Sequence, residues 1–314
     1  MQPPRSLETT VDDPSCAGMR LDLYIAERLS LFSRSQARSR IVSLRVNGAP
    51  ARLGKKLKLG DTISLAWTAA PPPHLLPQEI PLAVIFEKDD VIVVDKPQGM
   101  VVHPGSGNPG GTLANALLYH CEGLAQRFGQ DDPRPGIVHR LDKETSGVII
   151  AAKNPAAHEH LARQFHDHAV RKTYVALVKG SLPSARGKID TRIARDPRDR
   201  KRFAVVSTGG RQAVTFWHVL RSVNGYSLVS LLPATGRTHQ LRVHMLHMRT
   251  PILGDPLYAR RDPRLPGVTL MLHARKLRIT LPGEGEPREF ASPLPPRFRD
   301  ALSVIQSFSP RKGL

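Results

Sequence analysis

Between Pro135 and Ile150 the chain reads Pro-Gly-Ile-Val-His-Arg-Leu-Asp-Lys-Glu-Thr-Ser-Gly-Val-Ile-Ile. This sets Arg140 and Asp142 two residues apart in a polar loop that passes through Ser146-Gly147 into a hydrophobic strand. Loops held by rigid strands are where reactive groups are usually placed, so the Asp142 carboxylate is the leading candidate for chemistry. The same two residues could instead form a structural ion pair at a turn, which on composition alone is the commoner arrangement. Other candidates are weaker. The 13 histidines include His158/His160, His166/His168 and His244/His247, but no His-Glu-x-x-His occurs and no cysteine cluster joins them, so no metal is expected. Gly105-x-Gly107-x-x-Gly110-Gly111 lacks both the lysine of a phosphate-binding loop and a strand–helix–strand setting, and reads as a flexible loop.

The elements that must hold Asp142 are mostly strands. Val84–Phe86 and Val91–Val94 flank Asp89-Asp90 as a hairpin, Val148–Ala152 is a short buried strand, and Tyr174–Val178 is another. Gln212–Leu220 and Tyr226–Leu232 are joined by Asn224-Gly225, a turn pair that tolerates positive φ. Helices are expected at Thr112–Tyr119, Pro155–His168 and about Thr238–His247. Strands and helices do not alternate regularly, so the expected class is α+β: a large, mainly antiparallel mixed sheet flanked by helices and loops.

Residues 1–17 read as a flexible tail and 18–68 as a small basic α/β-hairpin domain. In it Leu21, Ile25 and Leu29 have helical spacing, Ser33 can cap a helix from Arg34 to about Ser43, and Val46-Asn47-Gly48 is a strand entering a turn. Ten basic residues from Arg20 to Lys58 face only Asp22 and Glu27, a net of +8, with Arg34 and Arg38 on one helix face. That run is either a solvated surface or a polyanion contact. A proline-rich linker follows at 69–81, then a catalytic domain at 82–300 and a tail at 301–314. Arg186–Arg202 carries a net of +5 and reads as an exposed loop or a phosphate-contacting arm.

The whole chain of 314 residues carries +19, a field that attracts polyanions, nucleic acid before membrane because no apolar run approaches spanning length. Met1–Arg5 has no apolar signal core, and Cys16 and Cys121 form no motif, so a reduced cytoplasmic protein is expected.

His139-Arg140-Leu141-Asp142-Lys143-x-Thr145-Ser146-Gly147 resembles the signature of RNA pseudouridine synthases of the Rlu type. Further blocks resemble the same family in order: Val94–Pro104, Gly111–Leu117, Lys172-Thr173-Tyr174-x-Ala176, Thr235–His244, Gly254-Asp255-Pro256-x-Tyr258 and Leu272-His273-Ala274. The basic N-terminal module is similar to a small RNA-binding domain shared with a small-subunit ribosomal protein. The likeness spans 20–67 and about 83–282; Leu281-Pro282 departs from the usual His-Pro, and Leu241 stands where Ile is frequent.

This resemblance implies an isomerase that converts uridine to pseudouridine in structured RNA, ribosomal RNA of the large subunit before transfer RNA; a monomer that needs no metal or organic cofactor is expected. The resemblance assigns Asp142 as the essential carboxylate, Tyr174 against the detached ring, and Arg140 in the space the flipped base leaves. It also puts Arg237 beside Asp142, as the opposite charge that keeps a carboxylate ionised. Arg34 and Arg38 are the expected RNA contacts of the N-terminal module. The chemistry is compatible: a carboxylate can attack C1′ or remove the 2′ proton, and either route frees the base to turn and rejoin through C5. A binding or ribosome-assembly factor that has kept the fold, or a hydrolase using Asp142 as nucleophile, are the competing expectations.

Overall fold

The computed structural model describes residues 4–32, 34–68, 75–105, 107–129, 132 and 134–308. The expected Ser33 cap and the first part of the proline-rich linker, 69–74, lie outside the described residues. The chain divides into two compact units, Met1–Pro73 and His74–Leu314.

The N-terminal unit contains β1 (Arg5–Thr10), α1 (Leu21–Leu23) continuing into a π-turn at Tyr24–Arg28, α2 (Arg34–Arg40), β2 (Ile41–Val46), β3 (Ala49–Pro50) and β4 (Thr62–Trp67). Its sheet runs β1-β4-β2-β3. Asn47 and Gly48 both take positive φ, 54° and 74°, which turns β2 tightly into β3. Leu21, Ile25, Leu57 and Ile63 form the centre of a small apolar core. Residues 5–10, expected in a loose tail, pair instead with β4 over their whole length, Arg5 opposite Trp67 and Thr10 opposite Thr62. Leu7 packs on the core from this polar strand, and the ladder supplies what side chains do not. The second helix also ends earlier than expected, because Ile41–Val46 is taken up by the sheet.

The larger unit is built on β5 (Ala83–Glu87), β6 (Val91–Lys96), α3 (Leu113–His120), α4 (Leu124–Phe128), β7 (Ser146–Ala152), α5 (Pro155–His166) and β8 (Arg171–Lys179). It continues through β9 (Arg186–Arg195), β10 (Phe203–Val206), β11 (Arg211–Val223), β12 (Tyr226–Pro233), α6 (Gln240–His247), β13 (Leu272–Ile279), β14 (Arg288–Ala291) and α7 (Pro296–Gln306). The 10-stranded sheet has the order β10-β9-β11-β12-β8-β13-β7-β6-β5, with β14 on β13. Only β13 and β7 run parallel, so the sheet is antiparallel except at one junction near its middle. This agrees with the expected α+β class. Thr112 caps α3 with Asn115 in a reciprocal box, and Asn154 caps α5 ahead of Pro155. Among the described residues no helix is long and apolar enough to cross a membrane.

Two expectations need correction. Arg186–Arg195 is not a loop but β9, paired with both β10 and β11; only the turn at 196–202 matches the exposed arm. Ile189 and Ile193 are its only fully buried apolar side chains, so hydrophobic alternation was too thin to reveal it. The expected C-terminal tail begins inside α7, which buries Phe298, Ala301 and Ile305 on one face against the core.

The parallel junction positions the site. Every residue of β7 is buried. Gly147, where the polar loop enters β7, has φ 118°, and a Cβ there would come within 2.2 Å of Ala274 O on β13. Glycine alone lets the two backbones approach so closely. The apolar side chains form one cluster on the β5–β7 half and a second on the β8–β12 half, and Tyr174 packs against both.

Candidate active site

A cavity of about 580 Å³ opens at this junction, lined by the 139–145 loop, Lys172 and Tyr174 of β8, the 233–239 segment and the start of α6. Asp142, Tyr174, Arg140 and Arg237 all line it, brought together from separate stretches of chain. Arg34 and Arg38 belong to α2 of the N-terminal unit; Arg34 Nη2 donates to Asp22 Oδ2 at 3.0 Å, and Arg20 binds the same carboxylate. Hydrogen bonds from Arg20, with Arg34 beside it, hold the Asp22 carboxyl down at about 2 despite burial.

The loop bearing Asp142 is pinned from several sides. Lys96, fully buried, donates through Nζ to the carbonyls of Pro97 (2.9 Å), Met100 (2.8 Å) and Lys143 (3.2 Å). Burial lowers its ammonium to about 8, and the charges of Glu144 and Asp142 resist that fall. Gln98 Nε2 donates to Glu144 O at 2.9 Å, and the Gly99 amide donates to Lys143 O at 2.9 Å. His139 stacks on Phe165 at 4.4 Å and accepts from the Ile150 amide at 3.1 Å. Burial drives its imidazole down to about 3, so it remains the neutral acceptor that this bond requires. A carboxylate held by such a frame loses little entropy on meeting a substrate.

The guanidinium on Asp142 is that of Arg242, not Arg237. Arg242 Nη1 donates to Asp142 Oδ2 at 3.0 Å, while its Nε and Nη2 donate to Asp255 at 2.7 Å each. Arg237 lies in the turn before α6, where its amide donates to Gln240 Oε1 at 3.0 Å and its Nε to Gln212 O at 3.0 Å. Arg242 sits on the inward face of α6, its side chain 4% exposed and that of Asp255 0%, a depth at which an arginine needs paired carboxylates. Burial opposes the Arg242 charge, but Asp255, joined by Asp142, outweighs it and holds the guanidinium above its ordinary pKa. Asp255 Oδ1 also accepts from the amides of Leu257 and Tyr258. Arg242 and Asp255 both stand in the recognised sequence blocks; position, rather than residue type, separates the two arginines, since Arg237 precedes α6 and Arg242 lies within it.

Asp142 is the accessible end of this array, its side chain 21% exposed. Oδ2 is occupied, whereas Oδ1 receives no hydrogen bond from any described residue, leaving one oxygen free to meet a substrate atom. His239 Nε2 lies 3.8 Å from Oδ2, a neighbour not singled out by sequence. Tyr174 is partly buried, and its burial, reinforced by the Asp142 charge, pushes the phenol far above its ordinary range, so it stays protonated. Lys172 is partly buried on the same wall, where desolvation lowers its ammonium. Arg140 is exposed at the cavity, its guanidinium bonded to no described residue. Among the described residues no three His, Cys, Asp or Glu side chains converge as metal ligands.

A model of the RNA pseudouridylate synthase family matches residues 90–247, the span holding Asp142, Tyr174, His239 and Arg242. The chain is 43% identical to a Borreliella burgdorferi protein named ribosomal large subunit pseudouridine synthase D, across 91% of this chain and 89% of that one. It is 40% identical to a Xanthomonas campestris pv. campestris protein of the same name, across 98% and 95%. Among solved structures, human RNA pseudouridylate synthase domain containing 4 is similar with TM-score 0.57 at 27% identity, covering 73% of this chain and 95% of that one.

Proposed function

Because this chain belongs to the RNA pseudouridine synthase family, we propose that it isomerises specific uridines of large-subunit ribosomal RNA with Asp142 as the reacting carboxylate. The single observation that carries the site is the Asp142 carboxylate, which lines a cavity of about 580 Å³ with Arg242 on Oδ2 and no described donor on Oδ1. Oδ1 meets the sugar of a uridine turned out of its strand, at C1′ or at the 2′ proton. Arg242 stabilises the carboxylate end of that exchange, and Tyr174 lies against the detached uracil as it turns. Arg140, exposed and unbonded among the described residues, stacks in the gap the base leaves. Arg237, which lines the cavity with its Nη atoms bonded to no described residue, contacts a substrate phosphate. Bound RNA must complete the walls and limit water, which would otherwise capture the opened sugar.

The large-subunit target is supported by the names of relatives that span nearly the whole chain; transfer RNA is the second target class. The exposed cations of the N-terminal unit, Arg38 among them, add affinity by tethering the same RNA. The enzyme works in the cytoplasm, a reading that the two buried, unpaired thiols at Cys16 and Cys121 support, and acts as a monomer. A non-catalytic assembly factor finds no support, since its relatives are named as synthases.

Pseudouridines are mapped in total RNA from cells with the gene, without it, and complemented by wild type or Asp142→Asn. Loss of one or a few large-subunit sites, restored by wild type only, is the expected result. Loss confined to transfer RNA would overturn the target, and restoration by Asp142→Asn would overturn the site.

A further inference from the structure

Three contacts run in line from β10 to Asp142. The Phe203 amide donates to Tyr258 Oη at 2.8 Å, Tyr258 Oη lies 2.9 Å from His239 Nδ1, and His239 Nε2 lies 3.8 Å from Asp142 Oδ2. Their polarity follows from the two described partners of Tyr258 Oη taken together. An amide N–H can only donate, so the Tyr258 oxygen is an acceptor there and keeps its own proton to give. No described group other than His239 Nδ1 is in reach of that proton, so Nδ1 accepts. A neutral imidazole that accepts at Nδ1 carries its hydrogen on Nε2, the nitrogen that faces Asp142.

The ring is held for this purpose. His239 has a left-handed backbone, φ 56°, that non-glycine residues seldom adopt, and it turns the side chain inward at the head of α6. Phe203 and Tyr258 meet the ring edge-on at 5.7 and 5.6 Å. Burial favours the neutral imidazole; among the charged groups facing it, Asp142 and Asp255 oppose that effect while Arg242 and Arg140 add to it.

We propose that His239 is a positioning residue whose Nε2–H, aligned through Tyr258 by the β10 backbone, steadies Oδ2 of Asp142 so that Oδ1 is the oxygen presented to the ribose. It rests on Asp142 being the reacting carboxylate. No proton travels along the line; its members set a tautomer and an angle. The 3.8 Å gap shortens to a hydrogen bond in the substrate complex, as catalytic contacts that are long in the free enzyme commonly do. Because Phe203 belongs to β10, the hairpin partner of basic β9, the share of this alignment that His239 supplies depends on that hairpin being seated on the sheet.

The test uses the full-length protein and single-turnover release of tritium from RNA labelled at uridine C5. His239→Leu should slow the step about 10- to 100-fold, the scale expected of a misplaced reacting group, with RNA affinity within about twofold. His239→Gln, whose side-chain amide can still donate toward Oδ2, should recover most of that loss. Tyr258→Phe removes the donor that favours neutral His239, so it should slow the step and move the acid limb of the pH–rate profile to higher pH. The double variant His239→Leu/Tyr258→Phe should be no slower than His239→Leu alone. Losses that multiply, a defect confined to RNA affinity, or full activity in His239→Leu would overturn the positioning role. An active Asp142→Asn, measured in parallel, would instead overturn the reading of Asp142 itself. Should His239→Leu fail to fold, the Gln and Phe variants decide the matter through the pH profile.

Discussion

Arg242 holds Asp142 by a single 3.0 Å hydrogen bond from Nη1 while its other two nitrogens donate to Asp255, so the accessible carboxylate is anchored through a buried one. Structural and chemical demands therefore meet on one guanidinium. Replacing it with Gln should strand Asp255, costing about 3–5 kcal/mol of stability, and should lower kcat at least about 100-fold. Arg237→Gln, which removes only the bond to Gln212 O, should leave stability within about 1 kcal/mol. Urea unfolding and tritium release on both variants distinguish the two arginines. Equal stability losses would contradict the assignment.

The junction between β7 and β13 gives a second prediction. In Gly147→Ala the new methyl would stand 2.2 Å from Ala274 O in a backbone conformation closed to alanine, so one strand must move. A stability loss on the order of 3 kcal/mol is expected by urea unfolding, with reduced turnover because the Asp142 loop enters the sheet at this residue. A loss below about 0.5 kcal/mol would show that the close approach is not obligatory.

The site was legible where chemistry is local. His139–Gly147 is one loop, Asn224-Gly225 is one turn, and the helices after Thr112 and Asn154 follow from residues close in sequence. The choice between Arg237 and Arg242 was not local. Both lie in one string, and what decides is where α6 begins and what faces it from Asp255, thirteen residues on. Phe298, Ala301 and Ile305 do carry a helical signal behind Pro296, so α7 could have been read. β1 and β9 could not, because their side chains are mostly polar and a partner strand supplies their order.

Acid should destabilise the catalytic unit through two imidazoles remote from substrate. His244 lies between the hydroxyls of Thr215 (2.9 Å) and Thr191 (3.0 Å), and His273 between those of Ser146 (2.9 Å) and Ser292 (3.1 Å). Burial lowers each to about 4. An unfolded chain takes up these protons near pH 6.5, so stability is full above that value and falls as pH drops toward 4, by roughly 3 kcal/mol per residue. Urea midpoints measured from pH 7 to 4.5 should fall, and fall less in His273→Gln. A flat profile would contradict the buried neutral state.

Affinity for RNA should depend on exposed cations of the N-terminal unit. Arg38, Lys55 and Lys56 are exposed, whereas Arg34 is engaged by Asp22. Changing all three to Gln should weaken binding and reduce the log–log salt slope by about 2–3, while single-turnover rates at saturating RNA stay unchanged. An unaltered slope, read by fluorescence anisotropy, would exclude them from the interface.

The central claim is chemical, and tritium release measures it directly. With RNA labelled at uridine C5, wild type should release label to water in proportion to pseudouridine formed, whereas Asp142→Asn should release none above background while binding the same RNA within about threefold. Turnover by Asp142→Asn, or its loss of RNA affinity together with activity, would show that this carboxylate does not perform the reaction.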